Sequence, residues 1–293
     1  MTFPRTARAL REALEAEGLQ PRRFRGQNFL TDRQAVDAIV RDAGVGERDR
    51  VIEVGTGPGL LTHALSETGA EVVSFEVDTA MHAFARGLCD WPERVRFVAG
   101  DVLASKHALA APFREAFSER PARGRVLFVS NLPYGAGTPI LLGVLGLEDR
   151  PDDVVVMLQR EVVEKLLAPA GGADYGAPSV VARLAAEGRL LRRFGPEVFW
   201  PRPRVRSAVV QLTPHAERLV APEEHGPLGA FVTALFSQRR KVLPSALRHA
   251  VPGLDAESAR EHVEAQGLAV TARVQEVEPE GLLALWRAAA TEG

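Results

Sequence analysis

The sequence predicts an α/β protein, a doubly wound and mostly parallel sheet followed by a small α-helical domain. Three observations carry that expectation. Short apolar runs recur at 51–54, 72–77, 95–99, 126–130 and 154–158, each followed by small or acidic residues and then a helical pattern. That alternation is expected of parallel strands with crossover helices. The polar residues Gly55 to Gly59, Glu76, Asp101 and Asn131 all fall just past an expected strand end, where ligands bind in such sheets. Finally, the pattern changes after Leu158 and again at His215.

Beyond the fifth run, a helix is expected from about Gln159 to Leu167 and another after the glycine-rich loop Gly171–Gly176, reaching about Glu187. Strands are expected around Arg189–Phe194 and Ser207–Leu212. The prolines of the intervening Phe199-Trp200-Pro201-Arg202-Pro203-Arg204 exclude it from a central strand. From His215 the chain reads as short helices punctuated at Pro222, Pro227, Pro244 and Pro252. Residues 1–214 are therefore expected to form the sheet domain with an N-terminal arm, and 215–293 a small helical domain.

A chain of 293 residues, 46% hydrophobic and 25% charged, is long enough to bury a full core. Its one cysteine, Cys89, excludes an internal disulfide and points to a reducing compartment. The first twenty residues lack the apolar core of a signal peptide, and no stretch reaches the roughly 20 apolar residues of a membrane span. A cytoplasmic monomer with no membrane contact is expected. The net charge of -2 hides an uneven distribution. From Arg189 to Ala250 there are eleven Arg or Lys (189, 192, 193, 202, 204, 206, 218, 239, 240, 241, 248) against four Glu (197, 217, 223, 224), a local excess of seven. Arginine's planar fork suits phosphate recognition.

The first strand runs into Glu53-Val54-Gly55-Thr56-Gly57-Pro58-Gly59, with a helix expected from about Leu60. Glycines let the backbone turn sharply and approach a ligand. A dinucleotide fingerprint wants its third glycine where Leu60 stands, and no Lys or Arg in the loop could clamp a phosphate. A nucleoside joined to an amino acid fits better. Glu76, about 21 residues past Gly55, can accept hydrogen bonds from both ribose hydroxyls. Asp101 can take an adenine amino group or, alternatively, cap a following helix. Gly55, Gly57, Glu76 and Asp101 together point to S-adenosylmethionine.

Asn131-Leu132-Pro133-Tyr134 follows the fourth strand. The N6 lone pair of adenine is delocalised into the ring, so the amine needs orientation more than a strong base. The Asn131 side-chain oxygen and the Leu132 carbonyl can accept both N6 hydrogens and favour charge developing on nitrogen. Pro133 stiffens the loop and adds no competing donor. Tyr134 can stack on the base. Proton loss can follow transfer, so neither a catalytic His nor a metal is demanded. The expected chemistry is methylation of an exocyclic amine.

These residues resemble the ribosomal RNA adenine N6,N6-dimethyltransferase family, and within it the bacterial enzymes that dimethylate two adjacent adenosines near the 3′ end of 16S rRNA in the small subunit. The likeness runs from Arg22 to roughly Leu285. Its markers are Gly26-Gln27-Asn28-Phe29-Leu30, the glycine loop, Phe75-Glu76-Val77-Asp78, Asn131–Tyr134 with Thr138-Pro139, Gln159-Arg160-Glu161-Val162, Phe199–Val210 and Phe236–Lys241. The resemblance implies a Rossmann-like class I methyltransferase fold and an RNA-binding helical domain. It also implies that Asn28 and Leu30 line the cofactor pocket with Gly55, Glu76, Asp101 and Asn131. Phe199 would close an aromatic clamp opposite Tyr134. Arg202, Arg204, Arg206, Arg239, Arg240 and Lys241 would meet rRNA in an immature 30S particle.

The chain departs from the family pattern at Gly135-Ala136-Gly137, where bulkier residues commonly follow the Tyr. Two glycines predict a more mobile loop and a looser hold on a monomethylated base. Other readings stay open: a 23S rRNA adenine methylase of the antibiotic-resistance type, an assembly or transcription factor using the same fold, or a small-molecule methyltransferase.

Overall fold

The structure is a computed structural model that describes residues 3–4, 6–21, 27–106 and 108–290. Arg22 and Gly26 lie outside the described residues. A seven-stranded sheet contains β2 (Arg50–Val54), β3 (Glu71–Glu76), β4 (Val95–Ala99), β7 (Val126–Asn131), β8 (Asp153–Gln159), β9 (Ala186–Phe194) and β11 (Ser207–Pro214), in the order β4-β3-β2-β7-β8-β11-β9. β4, β3, β2, β7 and β8 run parallel, and β11 joins β8 antiparallel from Ser207↔Gln159 to Leu212↔Val154. The expected strands are present, each within a residue or two of its expected bounds, save that β9 begins three residues early, at Ala186.

The central strands are apolar because they are buried on both faces, as the unbroken burial of Val126–Ser130 shows. Helices α2 (Arg33–Ala43), α3 (Leu60–Glu67), α4 (Thr79–Gly87), α5 (Ala111–Ser118) and α6 (Gly137–Leu145) supply the covering layers. Successive strands add outward from β2 through β3 to β4, then the chain returns to place β7 on the other side of β2. The strand order reverses between β2 and β7, and the carboxyl ends there diverge into a crevice.

Two small sheets escape sequence reading. β1 (Phe29–Leu30) pairs with β10 (Phe199–Trp200) as Phe29↔Trp200 and Leu30↔Phe199, and β5 (Leu103–Ser105) pairs with β6 (Ala108–Leu109). At the N-terminus, α1 (Ala7–Ala16) buries Leu10 and Leu14 in the sheet-domain core.

The chain divides into two compact units, Met1–Val163 with Arg189–Pro214, and Glu164–Gly188 with His215–Gly293. Residues 164–188, expected with the sheet domain, fall in the second unit. Tyr175, Val180 and Leu184 pack there in one core with residues of α9 (Pro222–Ser237), α10 (Leu243–Ala250), α11 (Ala256–Ala265) and α12 (Pro279–Ala290). Tyr175 also donates its hydroxyl to the Val277 carbonyl at 2.9 Å. Pro227 does not break a helix as expected: α9 runs through it. As the sixth residue of the helix it deletes one backbone hydrogen bond, while Leu228, Phe231, Val232 and Leu235 beyond it are buried. Among the described residues no helix is long and apolar enough to cross a membrane.

Candidate active site

A cavity of about 420 Å³ opens at the carboxyl ends of β2, β3 and β7 and beside the loop after β4. It is lined by every residue assigned from the sequence to a cofactor, Asn28, Leu30, Gly55, Gly57, Glu76, Asp101 and Asn131, and also by Leu132, Pro133 and Tyr134. Its volume lies in the range of small-ligand sites.

The glycine loop is built by backbone conformation. Gly55, Gly57 and Gly59 have φ of +82°, +53° and +87°, a region that costs other residues dearly. A Cβ on Gly57 would also stand 3.2 Å from the Phe29 ring. Gly55 N–H donates to the Phe75 carbonyl at 2.8 Å, tying the loop to β3. From there the chain enters α3 with Gly59 as its N-cap.

Glu76 closes the other side. Its Oε2 accepts from Gly57 N–H and its Oε1 from Asp78 N–H, both at 2.9 Å. Burial raises its pKa despite those bonds. Asp78 in turn caps α4, accepting from Ala80 N–H at 3.1 Å. Asp101 is exposed and accepts from Leu103 N–H at 2.9 Å. The strands β5 and β6, not a helix, follow it, so the alternative of a helix cap does not apply. Val77, 52% exposed, and buried Val102 add apolar surface beside the two acids.

Sequence reasoning passed over Glu53. It lines the cavity and is fully buried, and its Oε2 accepts from Thr62 Oγ1 at 2.6 Å and Ser74 Oγ at 2.7 Å. Burial, reinforced by the charge of Glu76, raises its pKa to about 7. The available signal was a lone acid inside the apolar run Val51-Ile52-Glu53-Val54.

The loop after β7 is built differently. Asn131 Oδ1 is buried and has no hydrogen-bond partner among the described residues. Leu132 is buried and donates its N–H to the Met157 carbonyl at 3.1 Å. The Pro133 carbonyl accepts from Ala136 N–H at 3.1 Å and Gly137 N–H at 2.7 Å. These bonds close the turn at its helix end. Gly137 is the first residue of α6, where a Cβ would stand 2.4 Å from Leu158 Cδ2. Close packing, not freedom, explains that glycine; Gly135 faces open space.

Tyr134 and Phe199 are neighbours, but not as an open clamp. Their rings lie 6.4 Å apart at 73°, edge to face. Phe199 is 1% exposed, and it is not among the cavity residues. The Tyr134 hydroxyl lies 2.7 Å from Ser207 Oγ, and burial raises its pKa. The basic residues fall in separate places. Arg202, Arg204 and Arg206 alternate as exposed positions before β11, and Arg240 and Lys241 are exposed between α9 and α10. Arg239 is half-buried and holds the second unit together, donating to Gln275 Oε1 and to the Ala173 carbonyl, both at 3.0 Å. Among the described residues no group of three or more His, Cys, Asp or Glu could hold a metal ion.

Comparison with known proteins is consistent along almost the whole chain. The profile of the family described as "Ribosomal RNA adenine dimethylase" matches residues 18–288. The "Ribosomal RNA small subunit methyltransferase A" of Phenylobacterium zucineum is 39% identical over 280 residues, 96% of this chain and 92% of the relative. The protein of that name from Rhodospirillum rubrum is 37% identical over 286 residues, covering 97% and 93%. Among solved structures, a dimethyladenosine transferase from Plasmodium falciparum superposes with a TM-score of 0.71 at 18% identity, covering 88% of this chain and 95% of that one. That likeness speaks for the fold.

Proposed function

The chain belongs to the ribosomal RNA adenine dimethylase family, and from that premise we propose that it dimethylates N6 of two adjacent adenosines near the 3′ end of 16S rRNA, using S-adenosylmethionine, within an immature small subunit. It is an rRNA adenine dimethyltransferase. The observation that carries the mechanism is the buried, unpartnered Asn131 Oδ1 at the cavity wall. A buried acceptor left without a donor costs about 1–3 kcal/mol. An exocyclic amine entering the cavity supplies that donor.

The residues present fit the cofactor. Gly55 and Gly57 bring bare backbone to the cavity, Glu76 and Asp101 offer carboxylate acceptors, and Asn28 and Leu30 complete the wall. When bound, S-adenosylmethionine supplies the methyl group from a cationic sulfur. The chain's own work is orientation. Asn131 Oδ1 and the Leu132 carbonyl hold the two N6 hydrogens and turn the nitrogen lone pair toward the methyl. Pro133 sets the loop, and Tyr134 offers its ring to the base while Phe199 packs against that ring edge-on. Arg202, Arg204, Arg206, Arg240 and Lys241 meet phosphate, and Arg239 adds its charge while anchoring its own unit. The second unit serves as the RNA-binding part of a cytoplasmic, monomeric enzyme.

Labelled S-adenosylmethionine incubated with unmethylated 30S particles tests the reading, with modified nucleosides identified by mass. N6,N6-dimethyladenosine in 16S rRNA is expected, together with binding that weakens steeply as salt rises. Methylation of isolated 23S rRNA but not of 30S particles would overturn the substrate.

A further inference from the structure

Tyr134 is held at two points. Its hydroxyl meets Ser207 Oγ at 2.7 Å, and its ring meets Phe199 edge-on at 73°. Ser207 is fully buried and opens β11, where its backbone is paired with Gln159. The ladder therefore fixes the Ser207 backbone, so its Oγ can only swing about the Cα–Cβ bond and cannot follow the tyrosine elsewhere.

The edge-to-face arrangement leaves no slot for a base. A planar base held between two rings needs both faces turned toward it. The phenolic oxygen lies on the line through Cγ and Cζ of its own ring. Turning the ring about the Cβ–Cγ bond changes the angle to Phe199 and leaves that oxygen where it stands. The hydrogen bond to Ser207 survives the turn, and the ring presents its face.

We propose that Ser207 is a positioning residue for capture of the target base: its hydroxyl pins Tyr134 Oη as a pivot about which the ring turns from its edge-on rest against Phe199. The proposal rests on the reading of Tyr134 as the stacking residue. Burial of Ser207 makes the pivot durable, because its hydroxyl finds no equal partner if it lets go.

Tyr134→Phe keeps the stacking face and removes the pivot; Ser207→Ala removes it from the other side. Each variant is assayed for methylation of 30S particles, with 2-aminopurine at the target position reporting stacking by its fluorescence. Each is expected to lower kcat/KM about fivefold to tenfold, the scale of one hydrogen bond, and to weaken the quenching on binding. The double variant should be no worse than the poorer single one. Additive losses would overturn the pivot, as would Ser207→Ala capturing the base better, which would mark a latch that must break. If Ser207→Ala does not fold, Tyr134→Phe decides the matter alone. Impairment of Tyr134→Ala with wild-type behaviour of Tyr134→Phe removes the pivot and spares the stacking role; unimpaired Tyr134→Ala removes the stacking role itself.

Discussion

The two loops that meet at the cavity, Gly55–Gly59 after β2 and Asn131–Gly137 after β7, use the same residues to opposite ends. In the first, glycines adopt positive φ and the backbone is tied down at both sides, to Phe75 and to Glu76. In the second, no glycine has positive φ, the turn closes on the Pro133 carbonyl, and one side-chain acceptor is left unsatisfied. The first loop is finished before a ligand arrives. In the proposed mechanism the second is completed by the substrate, and that is where transition-state stabilisation belongs.

Removing the unsatisfied acceptor should therefore have the largest effect. Asn131→Ala is expected to lower kcat about 10²- to 10³-fold, the scale of deleting one preorganised polar contact to a reacting group. Melting temperature should hold or rise, because no protein group loses its partner and a buried unpaired acceptor is removed. Single-turnover methylation and thermal melting read the two quantities. A variant that melts early while turning over normally would place Asn131 with the structural loop and erase the contrast.

The structural loop should instead betray itself through pH. Glu53 has its pKa raised from 4.5 to about 7 in the folded protein. Between those values the folded state keeps a proton that the unfolded chain has released. The stabilisation is complete below pH 4.5, declines as pH rises and is gone above about 7. Its ceiling is on the order of 3 kcal/mol. Glu53→Gln should flatten the dependence of stability on pH from 5 to 8, as followed by denaturant midpoints. An unchanged slope would mean that the carboxyl beneath the glycine loop ionises normally.

Much of this contrast could be read from sequence, and the reason it could is physical. Parallel strands buried on both faces appear as continuous apolar runs, so the polar residues at their ends stand out. Asn131 and Glu76 were visible for that reason. What stayed hidden depends on residues far apart in the chain. β1 and β10 exist only because Leu30 meets Phe199. Ser207 matters only because Tyr134 reaches it. Residues 164–188 join the second unit through side chains whose partners lie beyond Val220. Gly135 and Gly137 look alike until Leu158 is placed against one of them.

That last pair sharpens the comparison within a single loop. Gly137→Ala drives a methyl group to 2.4 Å from Leu158 and 3.2 Å from Leu132, and overpacking of this kind costs about 1–3 kcal/mol. Because Leu132 carries one of the proposed acceptors, the strain should reach turnover as well as melting temperature. Gly135 has an ordinary φ and nothing within 4 Å of an added Cβ. Gly135→Ala removes freedom mainly from the unfolded chain and should stabilise by about 0.4–1 kcal/mol. Thermal melting of both variants, with product ratios by mass, separates the two cases. If Gly135→Ala melts higher yet yields N6-monomethyladenosine in place of the dimethylated product, backbone freedom next to Tyr134 is what admits the second methyl group. The loop would then be rigid at its helix end and mobile at its base-facing end, with Gly137 and Gly135, two positions apart, in different roles.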